Sequence, residues 1–371
     1  MAHARRVTLQ DIAAAVGLSV NTVSRALTGK DQVSEETRAM IKAVADRLGY
    51  VPNTMARSLV LGQVMTIGVV ITNPSNPFYA RLISAIEQRG RVHGYSMLLM
   101  VSEENPDNER RAVESMMRWG VDGAIVVPVQ AGDDHWRRLI DSGTRVVLVN
   151  RDLSDVDCDF AGIDYERSAY EASLHLLDTG VDSMYLFEED LRISTVAARI
   201  DGFTRAVTER GLPADAVRVL RVPTRRHEAS TLPWEAAESY DLARSVVAGL
   251  PDNCGILLGN DYFALGLYRA LREAGRRIPD DVRIVGFGDD TFAGYLDPAL
   301  SSVRLPSEQL GTAAVDQLLA RLADRATRTP RVTAFYPTEL VVRASSAGPA
   351  VVPAPAPAAR RTRARTRQGS S

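Results

Sequence analysis

A small all-α head, a two-lobed α/β body and an unpacked basic tail form the fold class that this sequence predicts. Three observations predict it. The first fifty residues place apolar side chains at helical spacing between capping signals. From Thr66 onward, apolar and mostly β-branched runs alternate with amphipathic stretches, in two successive sets. From Ala344 the chain is almost entirely Ala, Pro, Gly, Ser and Arg, with almost no large apolar residue after Val352. The 371 residues exceed one ordinary domain of ~150 residues. The hydrophobic share of 45% suits a sizeable soluble core. The expected division is a head at 1–50, a linker at 51–63, a body at 64–343 and a disordered tail at 344–371.

The head reads as three short helices. Thr8 caps the first, and Asp11 three residues on completes a capping pattern. Leu9, Ile12, Ala13 and Val16 give it one apolar face. Gly17 breaks it, since glycine takes the positive φ that a tight turn needs. Ser19 caps a second helix, 20–27, with Val23, Ala26 and Leu27 inward. Ser34 caps a third, with Ile41, Val44, Ala45 and Leu48 inward and Gly49 at its end. Helix, glycine turn, helix at this spacing is a helix-turn-helix, whose second helix enters the DNA major groove. Val20, Asn21, Thr22, Ser24 and Arg25 face outward from that helix. Arginine pairs with guanine, asparagine with adenine, and valine touches a thymine methyl. Periodicity alone equally allows a three-helix bundle with a solvated polar face.

In the body, strands are expected at 66–71, 96–101, 123–127 and 145–149, with helices at 78–93, 105–119 and 134–141. A second set has strands at 183–187, 218–222, 255–258 and 282–286, with helices at 196–210, 236–248 and 262–274. This rhythm specifies parallel sheets with helices on both faces. Two such lobes meet in a cleft, the default ligand site at the carboxyl ends of the strands. Trp119 and Trp136 fall on helices and read as packing residues.

Charge is segregated. The whole chain carries −2. Residues 1–62 hold eight basic against five acidic side chains, +3, and residues 344–371 hold five arginines and no acid, +5. The remaining 63–343 therefore carries −10. A basic head beside an acidic body implies different partners for each. The tail arginines either add non-specific DNA affinity or are simply solvated.

Several function classes find no support. Apolar runs fall short of the ~20 residues of a membrane span. The start, MAHARRVTLQDIA, lacks the apolar stretch of a signal peptide, so the chain is expected in the cytoplasm, with the nucleoid. Cys158 and Cys254 lack a partner spacing for a disulfide framework or zinc site. Gly286-Phe287-Gly288 is not a dinucleotide fingerprint, and GxxxxGK[ST], HExxH and GxSxG do not occur. The expectation is no enzyme, no cofactor and no metal.

The segments DIA, TVSRAL, VSEETR, LGYVPN and ARSL stand in an order and spacing that closely resembles the DNA-binding head of the LacI/GalR family of bacterial transcription regulators. The resemblance continues through the body to about residue 343. It implies a periplasmic-binding-protein type I body. Lobe 1 would span about 64–163 and 303–333, and lobe 2 about 164–302 and 334–343, with the helix 307–323 in lobe 1, the return near 302–304 and the last crossing near 333–337. It also implies a homodimer on a pseudo-palindromic double-stranded operator, and a repressor controlled by a small effector, most often a sugar or its derivative. A purine or nucleoside is the other effector class.

Site residues follow from the resemblance position by position. The implied DNA contacts are Thr8, Ser19, Val20, Asn21, Thr22, Ser24 and Arg25, then Asn53, Met55, Ala56, Arg57 and Leu59 in a hinge helix. Leu59 matches a leucine that wedges into the minor groove. The implied effector contacts are Phe78, Tyr79, Asn150, Arg151, Ser194, Arg199 and Asp261. Aromatic faces suit a sugar or planar base. The fork of Arg199 suits vicinal hydroxyls or a carboxylate, and Asp261 would accept from ligand hydroxyls. The bland alternative for Arg199 and Asp261 is a salt bridge between lobes or a helix cap. Three departures stand out. Asn150 replaces the usual aspartate, and Gly286-Phe287-Gly288-Asp289 lacks one usual carboxylate. The segment 221–238, with Arg225, Arg226, His227 and Trp234, follows no family pattern. A solute receptor without a DNA role and a regulator without effector control are the alternative functions.

Overall fold

The computed structural model describes residues 7–27, 33–50, 63–223, 236–324 and 330–347. It divides into two compact units, Met1–Met65 and Thr66–Ser371.

In the first unit, α1 (Leu9–Val16), α2 (Val20–Leu27) and α3 (Glu35–Leu48) enclose Ile12, Ala13, Val23, Ala26, Ile41 and Ala45. Local chemistry sets each start. Thr8 and Asp11 form a reciprocal capping box, with the Thr8 N–H donating to the Asp11 carboxylate at 2.8 Å. The Thr22 N–H donates to Ser19 Oγ at 3.1 Å, and the Thr37 N–H to Ser34 Oγ at 3.3 Å. Gly17 ends α1 at φ 68°, in the left-handed region. Arg38 donates to the Ala26 carbonyl at 3.2 Å and ties α3 to the end of α2.

The second unit holds two six-stranded sheets. The first joins β1 (Thr66–Ile71), β2 (Ser96–Val101), β3 (Gly123–Val126), β4 (Arg145–Val149), β5 (Asp159–Ile163) and β11 (Thr333–Tyr336) in the order β11-β5-β4-β3-β1-β2. All its pairings are parallel. The second joins β6 (Ser183–Glu189), β7 (Val217–Val222), β8 (Cys254–Leu258), β9 (Val282–Gly288), β10 (Ser301–Arg304) and β12 (Glu339–Val341) in the order β12-β10-β9-β8-β6-β7. Only the β10–β12 pair is antiparallel. Central strands such as β8 are buried along their whole length, because helices cover both faces. Edge strands β2 and β7 are not, and β7 sets two arginines among its apolar residues.

On the first sheet, α4 (Pro77–Val92) and α11 (Ser307–Ala323) pack over Ile67, Val69, Ile125 and Val147. The opposite face carries α5 (Pro106–Trp119) and α6 (Asp134–Asp141) over Val70, Ala124 and Leu148. On the second sheet, α7 (Tyr165–Asp178) and α8 (Ser194–Glu209) cover Met184, Leu186 and Leu257. The other side holds α9 (Ala236–Val247) and α10 (Tyr262–Glu273). Gly202 lets α7 and α8 touch backbone to backbone: a Cβ there would lie 2.0 Å from the Glu166 carbonyl oxygen. Among the described residues, no helix is long and apolar enough to cross a membrane.

The expected body elements are all present, with ends shifted by no more than two residues. β10 pairs with β9 through Arg304, so lobe 2 runs to 304, the far end of the expected return at 302–304. β11 pairs with β5 through Tyr336, so the last crossing falls after 336, inside the expected span of 333–337. Several readings need correction. The packed chain outlasts residue 343. Ala344–Ala347 forms a helical turn (α12) whose Ser345 and Ser346 are buried. The Ser301 N–H donates to Ser345 Oγ, which donates to the Ile284 carbonyl. β5 and α7 went unread, and Trp119 is 65% exposed, unlike fully buried Trp136. The expectations for 51–62, for 224–235 and for the tail beyond 347 lie outside the described residues.

Candidate functional site

The head offers one candidate face. On α2 the apolar positions Val23 and Ala26 point into the core, so helical geometry turns the others out. Val20, Asn21 and Arg25 are exposed, and Thr22 and Ser24 are half-buried. Ser19 and Thr22 hydroxyls meet at 2.8 Å at the helix start. The side chains at 21, 24 and 25 thus form one polar stripe with a cationic end, and exposed Val20 stands apolar at its start. Thr8 serves its own helix as cap. Asn53, Met55, Ala56, Arg57 and Leu59 lie outside the described residues.

The body offers a second site, between the carboxyl ends of the two sheets. Left-handed non-glycine residues gather in the loops that leave β2, β3, β4 and β9: Glu103, Glu104, Gln130, Asn150 and Asp289. Such backbone is costly and tends to mark functional loops. From lobe 1, Asn76 caps α4 and places Phe78 and Tyr79 edge to face, 5.2 Å apart. Asn150 donates from Nδ2 to the Tyr79 hydroxyl at 3.4 Å and accepts from the Tyr165 hydroxyl at 2.7 Å. An aspartate cannot donate, which gives this departure a physical reason. Tyr165 stacks on Phe287, with centroids 6.0 Å apart. These groups form a polar chain that links the lobes over an aromatic floor.

Both cleft arginines are already matched. Arg199 donates from Nε and Nη2 to the two oxygens of Glu188, each at 2.8 Å. Its guanidinium lies 5.3 Å from the Tyr165 ring centroid and 5.6 Å from that of Phe287. Arg151 binds Glu104 the same way, at 2.8 and 2.6 Å, and donates to the Pro128 carbonyl. Glu189, the last residue of β6, is different. It is 7% exposed, and no described group donates a hydrogen bond to its carboxylate. Burial pushes its carboxyl up to about 7; Arg199 and Arg151 pull it down, while Glu188 and Glu104 reinforce the rise.

Ser194 and Asp261 do other things. Gln130 of lobe 1 accepts from the Ser194 N–H at 2.9 Å and donates to Ser194 Oγ at 3.0 Å, a clasp between lobes. Asp261 is fully buried inside lobe 2. Its two oxygens accept from Ser302 Oγ at 2.7 Å and from the Asp290 N–H at 2.8 Å. Burial pushes it up to about 7, against both hydrogen bonds. A Cβ at Gly286 would stand 2.0 Å from Asp261 Oδ1, so that glycine makes room for the carboxylate.

The structure therefore brings Tyr79, Asn150, Arg151 and Arg199 together, sets Phe78 behind them and Ser194 in the clasp, and turns Asp261 into the second lobe. The sequence reading missed Glu104, Gln130, Tyr165, Glu188 and Glu189. One signal was present: Phe187-Glu188-Glu189 puts two adjacent carboxylates at the end of an otherwise apolar strand, where a buried charge needs a reason.

Comparison with known proteins adds an independent line. Residues 8–53 match the family model of bacterial regulatory proteins, lacI family, and residues 174–346 match a periplasmic binding protein-like domain. The chain is similar to catabolite control protein A of Priestia megaterium, 30% identical over 326 residues, 86% of this chain and 94% of that protein. It is similar to the ribose operon repressor of Escherichia coli K12, at 28% identity over 85% of this chain and 93% of the repressor. Its fold matches a lac repressor dimer bound to operator and the anti-inducer ONPF, with a TM-score of 0.80 at 22% identity, over 92% of this chain and 99% of that one.

Proposed function

This chain belongs to the lacI family of bacterial regulatory proteins, and from that premise we propose that it is a homodimeric repressor controlled by a small molecule held between its lobes. It is a DNA-binding transcription regulator with an effector-binding body. Each α2 enters the major groove of one half-site of a pseudo-palindromic operator. Arg25 and Asn21 read base edges, and Val20 touches a thymine methyl. The observation that carries this reading is the capped, core-anchored α2 with Val20, Asn21 and Arg25 turned outward.

In the cleft, Tyr79, Asn150 and Tyr165 present hydroxyl and amide groups over the Tyr165–Phe287 stack. Arg151 and Arg199 are the cationic candidates, and Phe78 supports Tyr79. A sugar or sugar derivative is the effector class this surface suits, in keeping with the ribose operon repressor among the relatives. The effector shifts operator affinity only as far as its affinities for the two lobe arrangements differ.

Selection of operators from random DNA tests the head. Recovery of a pseudo-palindrome with half-sites one helical turn apart is expected, and recovery of unordered sequence sinks the assignment. A regulator without effector control is favoured by one feature, the bidentate pairing of Arg199 with Glu188. Failure of every sugar, nucleoside and amine to shift thermal stability would select that reading.

A further inference from the structure

The carboxylates of the cleft are not all matched; Arg221 donates to the main-chain carbonyl of Glu189 at 3.0 Å and leaves its carboxylate aside. Two guanidinium groups, Arg151 and Arg199, are each bound on two atoms by Glu104 and Glu188. Each pair takes two of the five N–H donors of its guanidinium, so these charges are already neutralised by glutamate before a ligand arrives. Breaking such a pair strands a charge in a poorly solvated site, which is strongly unfavourable. A third carboxylate, Glu189, is buried with no donor among the described residues. It lies in the electrostatic range of Tyr79, Arg151, Tyr165 and Arg199 and stands next to Glu188 on the strand that ends at the cleft. A buried carboxylate of this kind either holds a proton or takes up a cation. Its surroundings supply hydroxyl, amide and aromatic groups, the partners of a small polyhydroxylated molecule.

We propose that Glu189 is the specificity residue of the cleft, and that the effector is a small hydroxylated molecule bearing a protonated amine, of the amino-sugar class. The proposal rests on the effector-control reading above and goes further by naming the ligand's charge. Its ammonium donates to the Glu189 carboxylate, its hydroxyls meet Tyr79, Asn150 and Tyr165, and the two arginine–glutamate pairs stay closed. Anionic sugars are disfavoured, because they meet the carboxylates of Glu104, Glu188 and Glu189 and two guanidinium groups already paired with glutamate.

The test uses the full-length chain and calorimetry with D-glucosamine, D-galactosamine and putrescine against D-glucose, D-galactose and glucose 6-phosphate. The amines are expected to bind and their neutral or anionic counterparts to bind at least tenfold more weakly. Glu189→Gln, which keeps the shape and removes the charge, is expected to weaken amine binding by about ten- to a hundredfold. A second readout excludes a purely structural effect. For putrescine, already protonated at pH 6.5, the wild type should release a proton as Glu189 ionises, seen as a heat that depends on buffer ionisation enthalpy. Glu189→Gln should not. The groups facing Glu189 that bear on this titration are Glu104, Tyr79 and Arg151 from lobe 1, and Tyr165, Glu188, Arg199 and, on the neighbouring strand, Arg221 from lobe 2.

Equal or tighter binding of D-glucose or glucose 6-phosphate overturns the proposal, as does full amine affinity in Glu189→Gln or no amine binding at all. Operator affinity read by fluorescence anisotropy on the same samples separates the two readings. Binding of D-glucose that shifts operator affinity leaves effector control standing and removes the amine. Glu189-dependent amine binding that leaves operator affinity unchanged does the reverse.

Discussion

Arg25 and Arg199 are the same side chain in opposite surroundings. Arg25 stands exposed on α2. Arg199 is buried at the cleft and held on two atoms by fully buried Glu188. The contrast teaches what a deletion measures at each site. Removing an exposed arginine changes what the protein meets, and its folding hardly notices. Removing a buried one strands the partner carboxylate, so loss of ligand response at Arg199 cannot be read without a stability measurement beside it.

The largest expected effect breaks this comparison at its buried end. Arg199→Ala should lower the unfolding free energy of the body by about 3–5 kcal/mol, since Glu188 is left charged, buried and unpaired. Arg25→Ala should stay within about 0.5 kcal/mol of the parent. Urea midpoints of the two variants measure both. The double variant Arg199→Leu with Glu188→Leu should recover most of the loss, because apolar replacement of a buried pair is often neutral. Failure to recover would assign the cost of Arg199→Ala to lost packing against Tyr165 and Phe287.

The next effect is pH dependence, and it separates the buried carboxylates from one another. Glu189 and Asp261 are each pushed up to about 7 by burial. A carboxyl with a raised folded value favours the folded state when protonated. Its contribution is full below the ordinary carboxylate range and is lost as pH rises through about 7. The body should therefore be more stable at pH 5.5 than at pH 8, with Glu189 alone contributing up to about 2 kcal/mol over that range. Urea unfolding across that range checks the sign. In Glu189→Gln the slope should flatten and stability at pH 8 should rise, since no hydrogen bond is lost. Asp261→Ala should instead cost stability throughout, because the Ser302 hydroxyl and Asp290 N–H lose their acceptor.

The same contrast explains what the sequence disclosed. The head was legible almost to the residue, because caps and periodicity act within a few positions: Thr8 with Asp11, Ser19 with Thr22, Gly17 at positive φ. The apolar strand runs were legible for the same reason. β5 was not, because its first residue, Asp159, is polar. That carboxylate is satisfied by the fork of Arg321, 162 positions away, at 2.7 and 2.6 Å, and by the Val332 N–H at 2.8 Å. The cleft was legible as a place and less so as a set of partners. Arg199 and Asp261 were visible as residue types. That one is closed by Glu188 and the other turned toward Ser302 depends on three-dimensional pairing that local spacing does not carry. The end of the packed body was misplaced because Ser345 and Ser346 look like tail residues, yet they bond to Ser301 on β10.

At the exposed end, Arg25→Ala should cost about 1–3 kcal/mol of operator binding and relax base preference at one position. Binding to a panel of single-base operator variants tests this. Uniform weakening across the panel would recast Arg25 as a phosphate contact and leave Asn21 and Val20 to carry the reading.

The smallest expected effect lies at the clasp between the lobes, where neither extreme applies. Gln130 and Ser194 share two hydrogen bonds at a partly exposed rim, each worth about 1 kcal/mol net. Gln130→Ala should reduce global stability by no more than about 1 kcal/mol, because water replaces the lost amide. The effect should instead be local. The Ser194 N–H loses its acceptor, so its hydrogen exchange should quicken, while amides in the last turn of α8 keep their rates. The lobes should also part more readily, so an effector that binds the closed arrangement should bind more weakly to the variant in proportion to that shift. Unchanged exchange at Ser194 would mean that the clasp is open in solution and that closure is held by Tyr165 and Asn150 instead.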